Sequence, residues 1–216
     1  MFRREHKVFK DRKEAGFLLA RKLTRYKKKK DVIVLGIPRG GVVVAKIISI
    51  KLRVPFNIIV TKKIGAPYQE ELAIGAVSEG GEYILDQELI DRLNVVKDYI
   101  EKVVKDKERE VKERVNKFRL GNLKLRLKST TVILVDDGIA TGATTQAAIK
   151  YLRKKKVKKI ILAVPVAPKD SILKFRKLTD ELIVLETPYD FRAVGQFYRN
   201  FPQVSDEEVV ELLKTS

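Results

Sequence analysis

The chain has 216 residues, 44% of them hydrophobic, enough to bury one substantial core, and none of its apolar runs reaches the length of a membrane span, which excludes a transmembrane helix. Zero cysteines exclude disulfides and thiolate chemistry, and a single histidine excludes His-x-x-His metal sites, so a cytoplasmic protein is the default expectation. The 46 basic residues against 28 acidic ones give a net charge of +18, which raises the question of polyanion binding, while abundant Lys and Glu suit a thermophile.

Residues 1–30 read as a basic arm and a first helix. Glu5, Asp11 and Glu14 interrupt the basic stretch, so it is read as mature structure rather than a transit peptide. Ala15, Leu18, Leu19, Leu23 and Tyr26 fall at helical spacing and predict one core-facing side. His6, in the charged arm, is read as solvated and given no role. A strand follows over Asp31–Gly36, then the turn IPRGG, then an apolar helix over Val42–Leu52. In that turn Gly36, Gly40 and Gly41 relax the chain, Pro38 fixes it, and Arg39 offers a guanidinium suited to bidentate phosphate contact. A plain glycine-rich turn with one exposed arginine is the competing reading.

Phe56–Val60 predicts another core strand, running into Thr61, Lys62 and Lys63 and then a loop with a short hairpin around Glu79, Gly80 and Gly81. Gly65, Ala66 and Pro67 read as a hinge, and Glu70 and Glu71 as candidate acids. From Asp86 to Arg119 one long charged helix is expected, with Val96, Ile100, Val103, Val111, Val115 and Phe118 as its apolar stripe, a break in the stripe at Lys107, and Gly121 and Asn122 ending it. Its apolar face suits packing on the rest of the chain or on a second copy. Leu123–Lys128 alternates leucine with cations and reads as a short edge strand or a lead into the next core strand.

Val132–Thr145, VILVDDGIATGATT, is the most informative stretch. Four apolar β-formers predict a strand buried on both faces, two carboxylates stand at its carboxyl end, and a loop of small residues opens a helix over 143–154. Gly138, Ala140, Gly142 and Ala143 leave the loop almost bare, so its amides and the positive helix end can converge on one anion, with hydroxyls from Thr141, Thr144 and Thr145. Asp136 and Asp137, acceptors only, suit hydroxyl donors or a hydrated divalent cation. A phosphate at one end and a diol nearby describe a sugar phosphate. No G-x-x-x-x-G-K-[ST] or G-x-G-x-x-G occurs.

Beyond it, a strand over Lys159–Val164 ended by Pro165 and Pro168, a helix over 169–178 and a strand over Glu181–Glu186 alternate as a parallel sheet demands. The basic runs Lys27–Lys30 and Arg153–Lys159 close helices and precede strands, which puts them on the sheet edge opposite the predicted site. Ser205 with Asp206, Glu207 and Glu208 caps a last short helix. Of the aromatics before it, Tyr189 and Phe191 lie nearest the strand end, where they would stack on a flat base or simply pack in the core.

Val132–Thr145 resembles the phosphoribosyl pyrophosphate (PRPP) binding motif of the type I phosphoribosyltransferases. The resemblance implies that family's α/β fold, a central mostly parallel β-sheet flanked by helices, with a small hood and flexible-loop region. Here it implies one domain over 1–216: core at about 31–64 and 130–190; flexible loop, hairpin and long charged helix at about 64–122; and tail at about 187–216. It further implies that Asp136 and Asp137 bind the ribose hydroxyls and Mg2+, the latter through water or PRPP hydroxyls. The 5′-phosphate would lie in Gly138 and Ala140–Thr144, and pyrophosphate on Pro38, Arg39, Gly40 and Gly41 with Lys62 or Lys63. The expected activity is transfer of the phosphoribosyl group to a nucleobase-like nitrogen acceptor, by a homodimer. Ala140 stands where hypoxanthine-type members carry an acid, which disfavours hypoxanthine or guanine. D-R-x-x-A-G (Asp11, Arg12, Ala15, Gly16) and A-V-G-Q-F-Y (Ala193–Tyr198) are similar to a little-characterised bacterial and archaeal branch. The alternative is a PRPP-sensing regulator of the same fold that binds RNA or DNA through its basic surface.

Overall fold

A computed structural model describes residues 8–119 and 125–214, apart from the side chain of Glu71. The expectations for Glu5, His6, Gly121, Asn122, Leu123 and Lys124, and for Glu71 as an acid, lie outside the described residues. The amino-terminal half runs α1 (Arg12–Lys22), β1 (Val32–Gly36), α2 (Gly40–Leu52), β2 (Phe56–Ile58), β3 (Thr61–Ala66), β4 (Gln69–Ser78), β5 (Tyr83–Leu85), α3 (Gln87–Arg92) and α4 (Lys97–Arg119). It is followed by β6 (Thr131–Val135), α5 (Ala143–Lys154), β7 (Lys159–Val166), α6 (Lys169–Leu178), β8 (Glu181–Glu186) and α7 (Asp206–Lys214).

Five strands form a wholly parallel sheet in the order β2-β1-β6-β7-β8. Its side chains alternate between two cores, as strand pleating requires. Val34, Ile133, Val135 and Ile161 face one core with Leu19 of α1 and Val44 and Ile48 of α2, whereas Leu35, Val132, Leu134 and Leu162 face the other with Ala148 and Leu152 of α5 and Phe175 of α6. Helices therefore cover both faces. After β1 the chain moves outward to β2, and after β6 it moves the opposite way to β7, so the two crossovers diverge. The carboxyl ends of β1 and β6 border the crevice where such sheets bind ligands.

Several expectations need correction. The single long helix is two, because Asn94 takes a left-handed conformation at φ 50 and Val95 N–H donates back to the Ile90 carbonyl at 3.1 Å, closing α3. Val96 is consequently 66% exposed, and the buried face of α4 runs through Val104, Val111 and Phe118 against β3, β4 and α7. The loop expected after Lys63 is instead a three-stranded antiparallel sheet, β3-β4-β5. Its turn at Glu79–Gly81 is the expected one, whereas the second turn, at Tyr68 with φ 62, carries no glycine to signal it; Gly65 and Ala66 of the supposed hinge belong to β3, beside a register shift that masks the alternation. Residues 125–128 form no strand but lead into β6, the second of the two readings of that stretch, with Leu127 buried. Finally, β7 continues through Pro165: pairing with β6 stops at Ala163, leaving the missing N–H of proline outside that ladder.

Ala143 and Ala147 of α5 pack under Ala73, Ala76 and Ile84, which seats the small sheet over the loop that opens α5. A buried ion pair ties the two sheets together. Arg119 donates to Glu79 at 2.9 Å, both side chains 7% exposed, and also to the carbonyl of Ile58 at the end of β2. No helix among the described residues is long and apolar enough to cross a membrane.

Candidate active site

The site forms where two helices start beside the ends of adjacent parallel strands. At the first, β6 ends in Asp136 and Asp137 and the chain turns through Gly138–Gly142 into α5. Gly138 is required by crowding, since a Cβ there would stand 2.5 Å from Val194 Cγ1. Gly142 caps the helix in a left-handed conformation, φ 74, with no side-chain hydrogen bond to the first turn. Ala140 and Thr141 are exposed at the loop tip, and Thr144 is half-buried. The open amides of a twelve-residue helix thus meet a nearly bare loop, which suits a phosphate.

At the second, Ile37 N–H donates to the Val135 carbonyl at 2.9 Å, binding the loop after β1 to the end of β6. The Pro38–Arg39 peptide is cis. Gly40 and Gly41, expected as loop, are already the first turn of α2. Their purpose is close approach: a Cβ on Gly41 would stand 2.8 Å from both Asp136 Cα and the Val135 carbonyl, and one on Gly40 would collide with the Asp137 carboxylate. Both acids therefore lie against the positive end of α2.

Arg12 completes the floor. Its Nε donates to Asp137 Oδ2 at 2.8 Å, its Nη1 donates to the Pro202 carbonyl at 2.7 Å, and its guanidinium lies 3.8 Å from the Phe201 ring centroid. The Tyr198 hydroxyl donates to the Asp137 carbonyl at 2.6 Å, and Asp137 N–H donates to Asp136 Oδ1 at 2.9 Å. Burial pushes both carboxyls up, and the Asp137 charge pushes Asp136 further; Arg12 opposes the rise chiefly at Asp137. Asp137 is the ion-paired acid and Asp136 the costly one. Burial, with the neighbouring acids, also pushes the Tyr198 phenol up. In the sequence Arg12 and Tyr198 stand out only as motif letters. The one signal at Arg12 is a cation in the first turn of a helix, against the dipole.

The remaining expected residues are distributed more widely. Arg39 stands 3.8 Å from Asp206 Oδ1, at the start of α7, which Arg114 and Lys117 of α4 also grip at 2.9 and 3.1 Å. Burial pushes the Asp206 carboxyl up, but the hydrogen bonds from Arg114 and Lys117 outweigh it and hold the group below the usual range. Lys62 pairs with Glu110 of α4 at 2.8 Å, while Lys63 is exposed on the next position of β3. Phe191 stacks on Phe197, ring centroids 5.4 Å apart, as part of an aromatic core; Tyr189 is 84% exposed beneath the Lys169 ammonium. Glu70 is exposed. Ser205 caps α7 reciprocally with Glu208, as expected. The basic runs lie at the amino edge of the sheet, away from the acids.

Among the described residues no three His, Cys, Asp or Glu side chains gather as a metal cage. The two carboxylates suit a different mode, in which Mg2+ is held largely by ligand oxygens and water with one or two protein acids, and Asp136, whose partner is a backbone amide rather than a cation, is the better placed of the two.

Known proteins are similar to this chain over nearly its whole length. A family model described as a phosphoribosyl transferase domain matches residues 11–200. Two Mycobacterium tuberculosis proteins, each named "Putative phosphoribosyl transferase", are 41% identical over 207 residues, which is 96% of this chain but only 46% of theirs, so the chain spans about half the length of these relatives. A crystal structure of a Thermus thermophilus protein superposes with a TM-score of 0.79 at 35% identity, covering 95% of this chain and 97% of that one.

Proposed function

We propose, from the premise that the chain belongs to the phosphoribosyltransferase family and has its type I fold, that it binds PRPP with Mg2+. It transfers the phosphoribosyl group to a ring nitrogen of a nucleobase-like acceptor. One observation carries the reading: the glycine turn of α2 is pressed against the very acids that precede the bare loop of α5. A diol-binding pair thereby stands between two anion sites, matching a pentose phosphorylated at two positions.

In this reading the amides of Gly138 and Ala140–Thr144 hold the 5′-phosphate, with the Thr141 and Thr144 hydroxyls, the Ile139 amide being given to the Val166 carbonyl. Asp136 and Asp137 accept hydrogen bonds from the ribose hydroxyls. The leaving pyrophosphate lies on the first amides of α2 and on Arg39, which exchanges its long contact to Asp206 for the ligand. Lys62 or Lys63 joins from β3; Lys62 must first release Glu110. As the C1–oxygen bond to pyrophosphate breaks and the C1–nitrogen bond forms, positive charge builds on the ribose ring and negative charge on the leaving group, so fixed donors at the second site stabilise the transition state. Mg2+, when bound, neutralises pyrophosphate charge. Tyr189, exposed beyond β8, is the candidate base-stacking side chain, Phe191 being committed to Phe197.

The test is pyrophosphate release with PRPP, Mg2+ and a panel of nucleobases. Turnover with one of them is expected. No turnover with any base, together with salt-sensitive nucleic-acid binding that PRPP modulates, would overturn the enzyme reading in favour of a regulator.

A further inference from the structure

Two motifs remain that the reaction does not use: Asp11–Gly16 at the start of α1 and Ala193–Tyr198 near the end of the chain. They converge on one residue, Asp137. Arg12 holds Asp137 by the carboxylate, and Tyr198 holds the same residue by its backbone carbonyl. Tyr198 stacks on Phe201 with ring centroids 4.9 Å apart, the Arg12 guanidinium lies over that Phe201 ring, and its other donor is taken by Pro202. Val194 closes on Gly138 from the same segment. The side chain of Arg12 is 8% exposed and that of Asp137 14%.

We propose that Arg12 is a positioning residue for PRPP binding: acting through Asp137, it fixes the acidic pair in the orientation that receives the ribose, and the carboxyl-terminal segment holds Arg12 in turn. The proposal rests on the reading of Asp136 and Asp137 as the ribose site. The Asp137 oxygen that Arg12 holds is the one lying against Gly40 at the start of α2, so the ion pair and the helix end fix one orientation of the carboxylate together. Arg12 does this with a fork that a lysine ammonium does not reproduce, because one nitrogen must face Asp137 while another faces Pro202. Asp137 therefore spends one oxygen on Arg12, which leaves Asp136 and the other Asp137 oxygen for the ligand. A structural salt bridge alone would serve stability; this one also decides the geometry of the diol contact.

The experiment is a double-mutant cycle read by titration calorimetry on the full chain, with melting temperature measured for every variant. PRPP with Mg2+ and, separately, inorganic pyrophosphate with Mg2+ are titrated into the wild type, Arg12→Met, Arg12→Lys, Asp137→Asn and Arg12→Met/Asp137→Asn. Arg12→Met is expected to weaken PRPP on the order of tenfold to a hundredfold, as misplacing a supporting group does, and pyrophosphate distinctly less, because only PRPP carries the hydroxyls that Asp137 receives. Arg12→Lys recovers part of the PRPP loss. In the Asp137→Asn background Arg12→Met adds nothing further, because its route is already cut. Equal weakening of both ligands, or additive losses in the double variant, overturns the proposal; if Arg12→Met folds poorly, Arg12→Lys, alone and combined with Asp137→Asn, takes its place in the cycle. A wild type that binds pyrophosphate but not PRPP overturns the underlying ribose assignment instead.

Discussion

A Cβ placed on Gly40 would collide with Asp137 Oδ2 and stand 2.9 Å from Arg12 Nε, so the first turn of α2 and the second site acid occupy positions that only glycine reconciles. Gly40→Ala must drive Asp137 off Arg12 or shift the helix. Stability should fall by about 1–3 kcal/mol, the usual cost of an overpacked site, and PRPP binding by at least tenfold, on the order expected for misplaced site groups. Urea unfolding and PRPP titration check both; wild-type affinity in this variant contradicts the geometry.

The two neighbouring acids should respond to amidation to different extents. Asp136 holds its proton more tightly in the folded chain than in the unfolded one, through burial and the Asp137 charge. Such a group favours the fold at low pH and loses that contribution as pH rises from about 4 through its raised folded value. Asp136→Asn removes this liability and should melt above the wild type at pH 7, by a margin that shrinks below about pH 4. Asp137→Asn should gain less than Asp136→Asn, because burial raises its folded value too but the change also removes the partner of the Arg12 guanidinium. Melting curves from acid to neutral pH decide; a lower melting point for Asp136→Asn at neutrality contradicts the assignment.

Arg119 and Glu79 should behave as a buried pair that joins the small sheet to the main one. Removing one partner, in Arg119→Met, leaves Glu79 uncompensated beside Val60 and costs about 3–5 kcal/mol. Adding Glu79→Gln should recover part of that loss, a coupling that urea midpoints measure. Additivity of the two changes would mean that the pair does not act as a unit.

At Gly142 two independent penalties meet: a left-handed φ of 74, and Phe175 Cζ 2.6 Å from any added Cβ. Gly142→Ala should destabilise by about 1–3 kcal/mol and weaken ribose 5-phosphate binding, because the amides of α5 lose their convergence. Unchanged phosphate affinity would remove this loop from the site.

The sheet and its helices are legible in the sequence because their signals are local. Val132–Val135, Lys159–Val164 and the helices over 143–154 and 169–178 announce themselves by period and composition. What escapes is set by contacts remote in sequence. β3 carries cations at Lys62 and Lys63 and a register shift at Gly65, so its pairing with β4 has no clean alternation to show. The acids and both glycine turns follow from residue type, but Arg12 reaches Asp137 across 125 residues, and Tyr198 does so across 61. Gly40 and Gly41 fall in the expected place for a different reason: they make room for the acids rather than loosening a loop.

The central claim is that both anion sites and the acids between them hold one molecule. A crystal soaked with PRPP and Mg2+ tests it most directly. The account predicts density for the 5′-phosphate at the start of α5, the ribose hydroxyls on Asp136 and Asp137, and pyrophosphate at the start of α2 beside Arg39. Ordered PRPP elsewhere on the chain, with that crevice filled only by protein side chains and solvent, would contradict it.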